Sequence, residues 1–187
     1  MHGILYKNIL NTVWKCCILF RCMSKYEYMK EALNEAEKAF RLGEVPIGAV
    51  IVRNGEIIAR GHNLTETRKD PTAHAEMNAI RQAAERLGGW RLPGCTMYVT
   101  CEPCAMCAGA LVWSRMEKLC IGTMDPKAGA CGSVFDIVEE PRLNHNIEVE
   151  TGVLEEDCSR ILKEIFSDLR KSRKQNRRTL VLREQAR

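Results

Sequence analysis

Two short runs of chemistry-bearing residues, His74-Ala75-Glu76 and Pro103-Cys104-Ala105-Met106-Cys107, lie 30 residues apart from histidine to first cysteine. Each opens a helical pattern, so a fold that joins them must bring two helix starts to one point. Cysteines at i and i+3 lie on one helix face, and both sulfurs can reach one ion. A helix N-terminus lowers thiol pKa and favours the thiolate that a metal requires. One imidazole (His74) and two thiolates (Cys104, Cys107) suit Zn²⁺ and leave a fourth tetrahedral position for water. Glu76 is the acid/base candidate. At i+2 it points away from His74 inside a helix, so both face one ion only at the helix start. A closed Cys₃His site with Cys101 as fourth ligand fits the Cys101-x-x-Cys104-x-x-Cys107 spacing. It requires a cysteine at a strand end, off the helix face, and leaves Glu76 without a task. Plain buried thiols are the third possibility.

The flanking patterns read as alternating elements. Met29, Leu33, Ala36 and Phe40 recur at helical spacing after Ser24, with Gly43 as a stop. Residues 49–53 and 56–60 flank Asn54-Gly55, a strong hairpin signal. A second helix opens at Asp70-Pro71-Thr72, with Asp70 or Thr72 as cap, and buries Ala73, Met77, Ile80, Ala84 and Leu87. Residues 96–100, 118–122 and 147–151 read as strands. Residues 104–113 are almost wholly apolar and read as a buried helix. Residues 125–133 form a loop with glycines and a proline. Ile161, Leu162, Ile165 and Leu169 mark a last helix. The order implies a three-layer α/β domain with a mixed sheet.

The 187 residues suit about one domain. At 45% hydrophobic and 28% charged, the chain has the composition of a packed globule. Ten cysteines in a chain this long do not read as disulfide staples, and the three grouped at Cys101, Cys104 and Cys107 read as metal chemistry in a reducing, cytoplasmic setting. No apolar run reaches the roughly 18 residues of a membrane helix. The net charge of +4 is uneven. Residues 170–187 hold eight Lys/Arg and one acid, which leaves 20 basic and 23 acidic residues elsewhere. A basic tail on an acidic body suggests a polyanion, nucleic acid first; a solvated terminus is the plain alternative. Residues 1–22 have a separate texture. They weakly resemble a signal peptide, but Lys15 splits the apolar run and no small-residue cleavage site follows. A membrane-surface helix would need a cleaner apolar face. The helix that opens directly after Met23-Ser24 favours Met23 as the natural start. The organisation expected is an extension at 1–22, a domain at 23–169 and a basic tail at 170–187.

His74-x-Glu76 with Pro103-Cys104-x-x-Cys107 matches the signature of zinc-dependent nucleobase deaminases. More of the chain, from Met23 to Leu169, resembles the bacterial tRNA-specific adenosine deaminases. The stretches that carry this are 43–49, Gly61-His62-Asn63, 102–110, 122–130, Asn144-His145 and 151–154. The resemblance implies a five-stranded, three-layer α/β/α cytidine-deaminase-like fold, a homodimer and a tRNA anticodon stem-loop as partner. It implies hydrolytic deamination of adenosine to inosine at the wobble position, 34. His74, Cys104 and Cys107 carry over as ligands of one Zn²⁺ per subunit, and Glu76 as the proton shuttle. Asn63 matches a position that holds the flipped nucleoside; read alone it is a turn asparagine. Asp125 matches a loop position beside the target, and read alone is a turn former. Phe166, Arg170, Lys171, Arg173 and Lys174 match a terminal helix that meets the anticodon stem, although Phe166 also has the spacing of a core residue. The alternative within the same signature is a small-molecule deaminase acting on guanine, cytosine or a nucleoside; the basic tail is what a free base does not need. A non-catalytic RNA-binding module with a structural zinc is the third reading. His62 and His145 read as loop histidines, and Trp90 and Trp113 as packing residues.

Overall fold

Ser24 begins the first helix. Its hydroxyl accepts from the Glu27 N–H at 3.3 Å, and the Glu27 carboxylate accepts from the Ser24 N–H at 2.8 Å. This reciprocal box satisfies donors that α1 (Lys25–Arg41) would otherwise leave open. The computed structural model describes residues 23–165 and residue 167. The expectations for residues 1–22, for Phe166 and for Arg170, Lys171, Arg173 and Lys174 lie outside the described residues.

Strands β1 (Gly48–Arg53) and β2 (Glu56–His62) form the expected hairpin. Asn54 and Gly55 both have positive φ, 52° and 78°, as the tight two-residue turn requires. The register slips between Ile51 and Val52, which leaves Ile58 as the extra residue of a bulge. After a short helix α2 (Thr65–Arg68) and a longer α3 (Ala75–Leu87), strand β3 (Cys95–Cys101) pairs antiparallel with β1. Helix α4 (Ala105–Trp113) then crosses over to β4 (Lys118–Thr123), which is parallel to β3. Strand β5 (Glu148–Glu150) adds parallel to β4, and residues 155–165 form a last helix, α5. The sheet is mixed and five-stranded, in the order β2-β1-β3-β4-β5.

Alternation along the strands divides the core in two. Ala49, Ile51, Met97, Val99, Leu119 and Ile121 pack with alanines of α3 and with Ala108, Leu111 and Val112 of α4. Val50, Val52, Tyr98 and Cys120 pack with Tyr28, Met29 and Ala32 of α1 and Cys158 of α5. The domain is therefore three-layered, α/β/α.

The helices sit closer to the sheet than large apolar residues would permit. A Cβ on Gly48 would lie 2.1 Å from the Ala32 carbonyl oxygen. A Cβ on Gly61 would lie 2.1 Å from the Ala75 carbonyl oxygen and 2.7 Å from the Ala79 nitrogen. The facing helix surfaces are alanines for the same reason. This corrects the expected faces. On α1, Tyr28, Met29, Ala32, Glu35, Ala36 and Ala39 are buried, whereas Leu33 is half-buried and Phe40 is exposed. On α3, Ala75, Glu76, Ala79 and Ala83 are buried, and Met77, Ile80, Ala84 and Leu87 only half-buried. The start of α3 also moves: its N-cap is His74, not Asp70 or Thr72. Asp70 instead closes a local turn, with Oδ1 accepting from the Thr72 N–H at 2.8 Å and the Thr72 hydroxyl at 2.7 Å. Gly61→Ala should lower stability by about 1–3 kcal/mol, measured as a fall in the urea midpoint at constant slope. Gly109→Ala is the matched control, because nothing lies within 4 Å of a Cβ there; its midpoint should stay or rise.

Candidate metal centre and active site

Helices α3 and α4 both begin at the same place. His74 and Cys104 are their N-caps, each in an extended backbone conformation (φ −72°, ψ 157° and φ −72°, ψ 173°). Extended caps project their side chains past the helix end, which is how His74 and a buried Glu76 come to share one site. The imidazole Nδ1 of His74 lies 3.8 Å from Cys104 Sγ and 3.6 Å from Cys107 Sγ. The three ligand atoms lie within 4.8 Å of one another, and theirs is the group that could hold a metal among the described residues. Zn–S of about 2.3 Å and Zn–N of about 2.0 Å put the N···S edge of a tetrahedron near 3.5 Å. The observed separations fit that edge, and the donor set leaves one corner open.

The three donor groups share their protons unequally. The Cys107 thiol and His74 hold Cys104 down to about 3, while Cys107 itself is pushed up by its bond to Cys104 and by burial. A separate bond between His74 and Cys104 raises His74. Two helix N-termini add their positive ends at this point. Glu76 is 3% exposed, and burial pushes its carboxyl above the usual range. Its Oε2 has no hydrogen-bond partner among the described residues. A buried polar atom without a partner costs stability, so it marks a place where something else is expected to bind.

Cys101 ends β3, pairs with Thr123 and stands outside this group. Burial pushes its thiol up to about 12, which suits an inert thiol. The seven described cysteines are all free.

Asn63 is buried, and its Oδ1 accepts from the Ala75 N–H at 2.9 Å. It therefore closes the α3 N-terminus from outside and offers its Nδ2 as a donor. Asn78 supports the same turn, donating to the His62 and Ala73 carbonyls at 2.9 and 3.2 Å. Asp125 turns its loop through Oδ1, which accepts from the Lys127 N–H at 2.9 Å. It also lines a cavity of about 260 Å³ with Val45, Ile47, Cys101, Met124 and Leu162. The plain turn-forming reading of Asp125 is thus correct as far as it goes, and the cavity wall is a second property of the same residue.

His62 and His145 serve the frame. His62 Nδ1 meets the buried Glu35 carboxylate at 2.9 Å, and His145 Nε2 donates to the Met116 carbonyl at 2.6 Å. Trp90 and Trp113 are not core residues. They are 48% and 69% exposed and stack on each other at 6.3 Å, with Arg91 over the Trp90 ring. Two buried carboxylates escape a reading of spacing alone. Glu44 accepts from the Glu66 and Thr67 N–H groups at 3.1 and 2.7 Å and so caps α2 from a distance. Glu102 binds the 125–133 loop. Its one sequence signal is an acid at a strand end directly before Pro103-Cys104.

Glu76 yields a prediction with a definite sign. A carboxyl whose folded pKa is raised ionises first in the unfolded chain, so the folded state loses stability as pH rises above the unfolded value. After chelation, Glu76→Gln should stabilise the protein at pH 7–8, and the gain should vanish below about pH 4. Urea midpoints across pH check this; equal midpoints at pH 7 contradict it.

The MafB19-like deaminase family matches residues 23–170. Over 153 residues the chain is 56% identical to the tRNA-specific adenosine deaminase of Bacillus subtilis (strain 168), covering 82% of this chain and 95% of that one. It is 53% identical over 148 residues to the enzyme of the same name from Aquifex aeolicus, covering 79% and 97%. A structure solved in a study of A-to-I editing by tRNA:A34 deaminases at the wobble position superposes with a TM-score of 0.71 at 46% identity, covering 73% of this chain and 99% of that one. The guanine deaminase of Bacillus subtilis superposes at 0.54 and 36% identity, covering 67% and 83%.

Proposed function

The chain belongs to the MafB19-like deaminases, and from that premise we propose that it is a tRNA adenosine deaminase converting adenosine to inosine at wobble position 34. The observation that carries this is its 56% identity to a tRNA-specific adenosine deaminase across 95% of that enzyme. We assign His74, Cys104 and Cys107 to the metal and Glu76 to proton transfer. The partnerless Oε2 of Glu76 and the N···S separations support that assignment.

A zinc ion held there supplies a water that ionises near neutral pH. Glu76 takes a proton from the attacking water at its carboxylate and returns it to the departing amine at C6. The water's oxygen stays on the base, and adenosine and water become inosine and ammonia. Burial of Glu76 keeps bulk water away from the shuttle and pushes its carboxyl above the usual range, which favours its holding the proton between the two transfers. Asn63, with Oδ1 committed to Ala75, keeps Nδ2 as the donor assigned to the nucleoside. Asp125, in the cavity wall with Met124 and Pro126, is assigned to the nucleotides beside the target. Arg170, Lys171, Arg173 and Lys174 are assigned to the anticodon stem on family resemblance and charge, and Phe166 on resemblance to stacking on a splayed base; phosphate contacts from Lys and Arg are salt-dependent and carry no sequence information. No helix among the described residues is long and apolar enough to cross a membrane. A cytoplasmic homodimer completes the proposal.

The test is deamination by zinc-loaded protein on a tRNA with adenosine at position 34, with guanine and cytidine in parallel. Inosine should form in the tRNA alone. Glu76→Ala should lower the rate by at least about 100-fold and leave zinc content and folding intact. Ammonia from guanine or cytidine, with the tRNA untouched, would assign the chain to the small-molecule branch.

A further inference from the structure

Glu102 is 4% exposed, and its carboxylate is satisfied entirely by one loop. Oε2 accepts from the Asp125 N–H at 2.8 Å and from the Ser133 hydroxyl at 2.5 Å. Oε1 accepts from the Cys131 N–H at 2.9 Å and the Ser133 N–H at 3.0 Å. No cation pairs with it among the described residues. The two oxygens thus hold both ends of the 125–133 loop, and the loop closes around them so tightly that a Cβ on Gly129 would lie 2.1 Å from Oε2. The backbone that carries this carboxylate is anchored to the end of β4, because the Glu102 N–H donates to the Thr123 carbonyl at 2.9 Å. The following residues tie the loop to the metal end of α4. The Ala130 N–H donates to the Pro103 carbonyl at 2.9 Å, and Gly129 bridges to Cys104.

The loop held in this way is a wall of the cavity. Met124, Asp125, Pro126 and Lys127 line it, and Glu102 does not. We propose that Glu102 is a positioning residue for RNA recognition: its buried carboxylate sets the shape of the 125–133 loop, and so the place of Asp125 against the nucleotides beside the target base. The inference rests on the functional reading above and adds a residue to it. Glu102 acts through the loop and touches neither substrate nor metal group. A charge-assisted bond accepted from a backbone N–H is strong and directional, so neutralising one oxygen turns an acceptor into a donor facing another donor. The loop must then shift. An error in the loop falls on how the anticodon is held, while proton transfer at Glu76 is untouched.

The experiment compares Glu102→Gln, Ser133→Ala, Asp125→Ala and the double variant Glu102→Gln/Asp125→Ala, as zinc-loaded full chains. The substrate is an anticodon stem-loop with adenosine at position 34. For Glu102→Gln we expect KM to rise about tenfold, the scale of one charge-assisted hydrogen bond. The value of kcat should change less than about threefold, with one zinc per chain retained. Ser133→Ala removes one bond at an exposed residue, folds without difficulty, and should raise KM about twofold to threefold in the same direction. Asp125→Ala should lower kcat/KM in the parent chain but cost less than about twofold more in the Glu102→Gln background, because both act through one contact. Three results would overturn the proposal: multiplying effects of Glu102→Gln and Asp125→Ala, a loss that falls on kcat or zinc content, or an unchanged KM in Ser133→Ala. No inosine from the unsubstituted chain refutes the functional reading, and this inference with it; inosine from the parent with any of those three results refutes the positioning role alone.

Discussion

The backbone of α3 lies against β2 at Gly61, with the Ala75 carbonyl occupying the space a side chain at residue 61 would fill. That contact decides where α3 begins relative to the sheet, and therefore where His74 points. The Asn63 Oδ1 to Ala75 N–H bond, two residues further along the chain from Gly61, closes the same helix start. Two strands away the crossover β3–α4–β4 brings Cys104 to the other side of the same point. Two helix starts held by close packing are more rigid than two loops, and a metal site needs its donors fixed in position before the ion arrives. The alanine faces of α1 and α3 are thus part of the chemistry as well as the packing.

The site runs against stability at Glu76, a buried carboxylate with an oxygen that no described residue satisfies. Such features persist where the surrounding fold over-determines them, and they cluster at functional sites. Two other buried acids behave differently. Burial pushes Glu44 and Glu102 up, but the N–H groups of Glu66 and Thr67, and of Asp125, Cys131 and Ser133, more than offset it and hold both below the usual range. These acids organise loops; Glu76 has nothing to organise.

Much of this was legible in the residues. The Asn54-Gly55 turn, the Ser24 cap and the strand alternation are local signals, and each lies where local rules put it. The His74, Cys104 and Cys107 triad was legible because metal donors at those spacings are rare by chance. The misread helix faces have one cause. Periodicity assigns large apolar residues to the core, but the close approach of α3 to Gly61 reserves the contact for Ala75, Ala79 and Ala83 and turns Met77 and Ile80 to the flank. Asp70 has the chemistry of a cap and spends it on Thr72. The cap of α3 arrives instead from Asn63, across a tertiary contact that no spacing rule encodes. Glu44 and Glu102 were invisible in the same way, since a carboxylate that gathers distant N–H groups leaves no period. Trp113 ends an apolar run and was read as buried, yet it closes the helix at the surface against Trp90.

The proposed chemistry depends most on His74, Cys104 and Cys107 holding one ion and leaving its fourth corner free. Zinc K-edge X-ray absorption on the zinc-loaded full chain tests this directly. The account predicts one zinc per chain with two sulfur ligands at about 2.3 Å and two nitrogen or oxygen ligands at about 2.0 Å. A shell of three sulfurs would bring in Cys101, close the site and leave Glu76 without a reaction to serve.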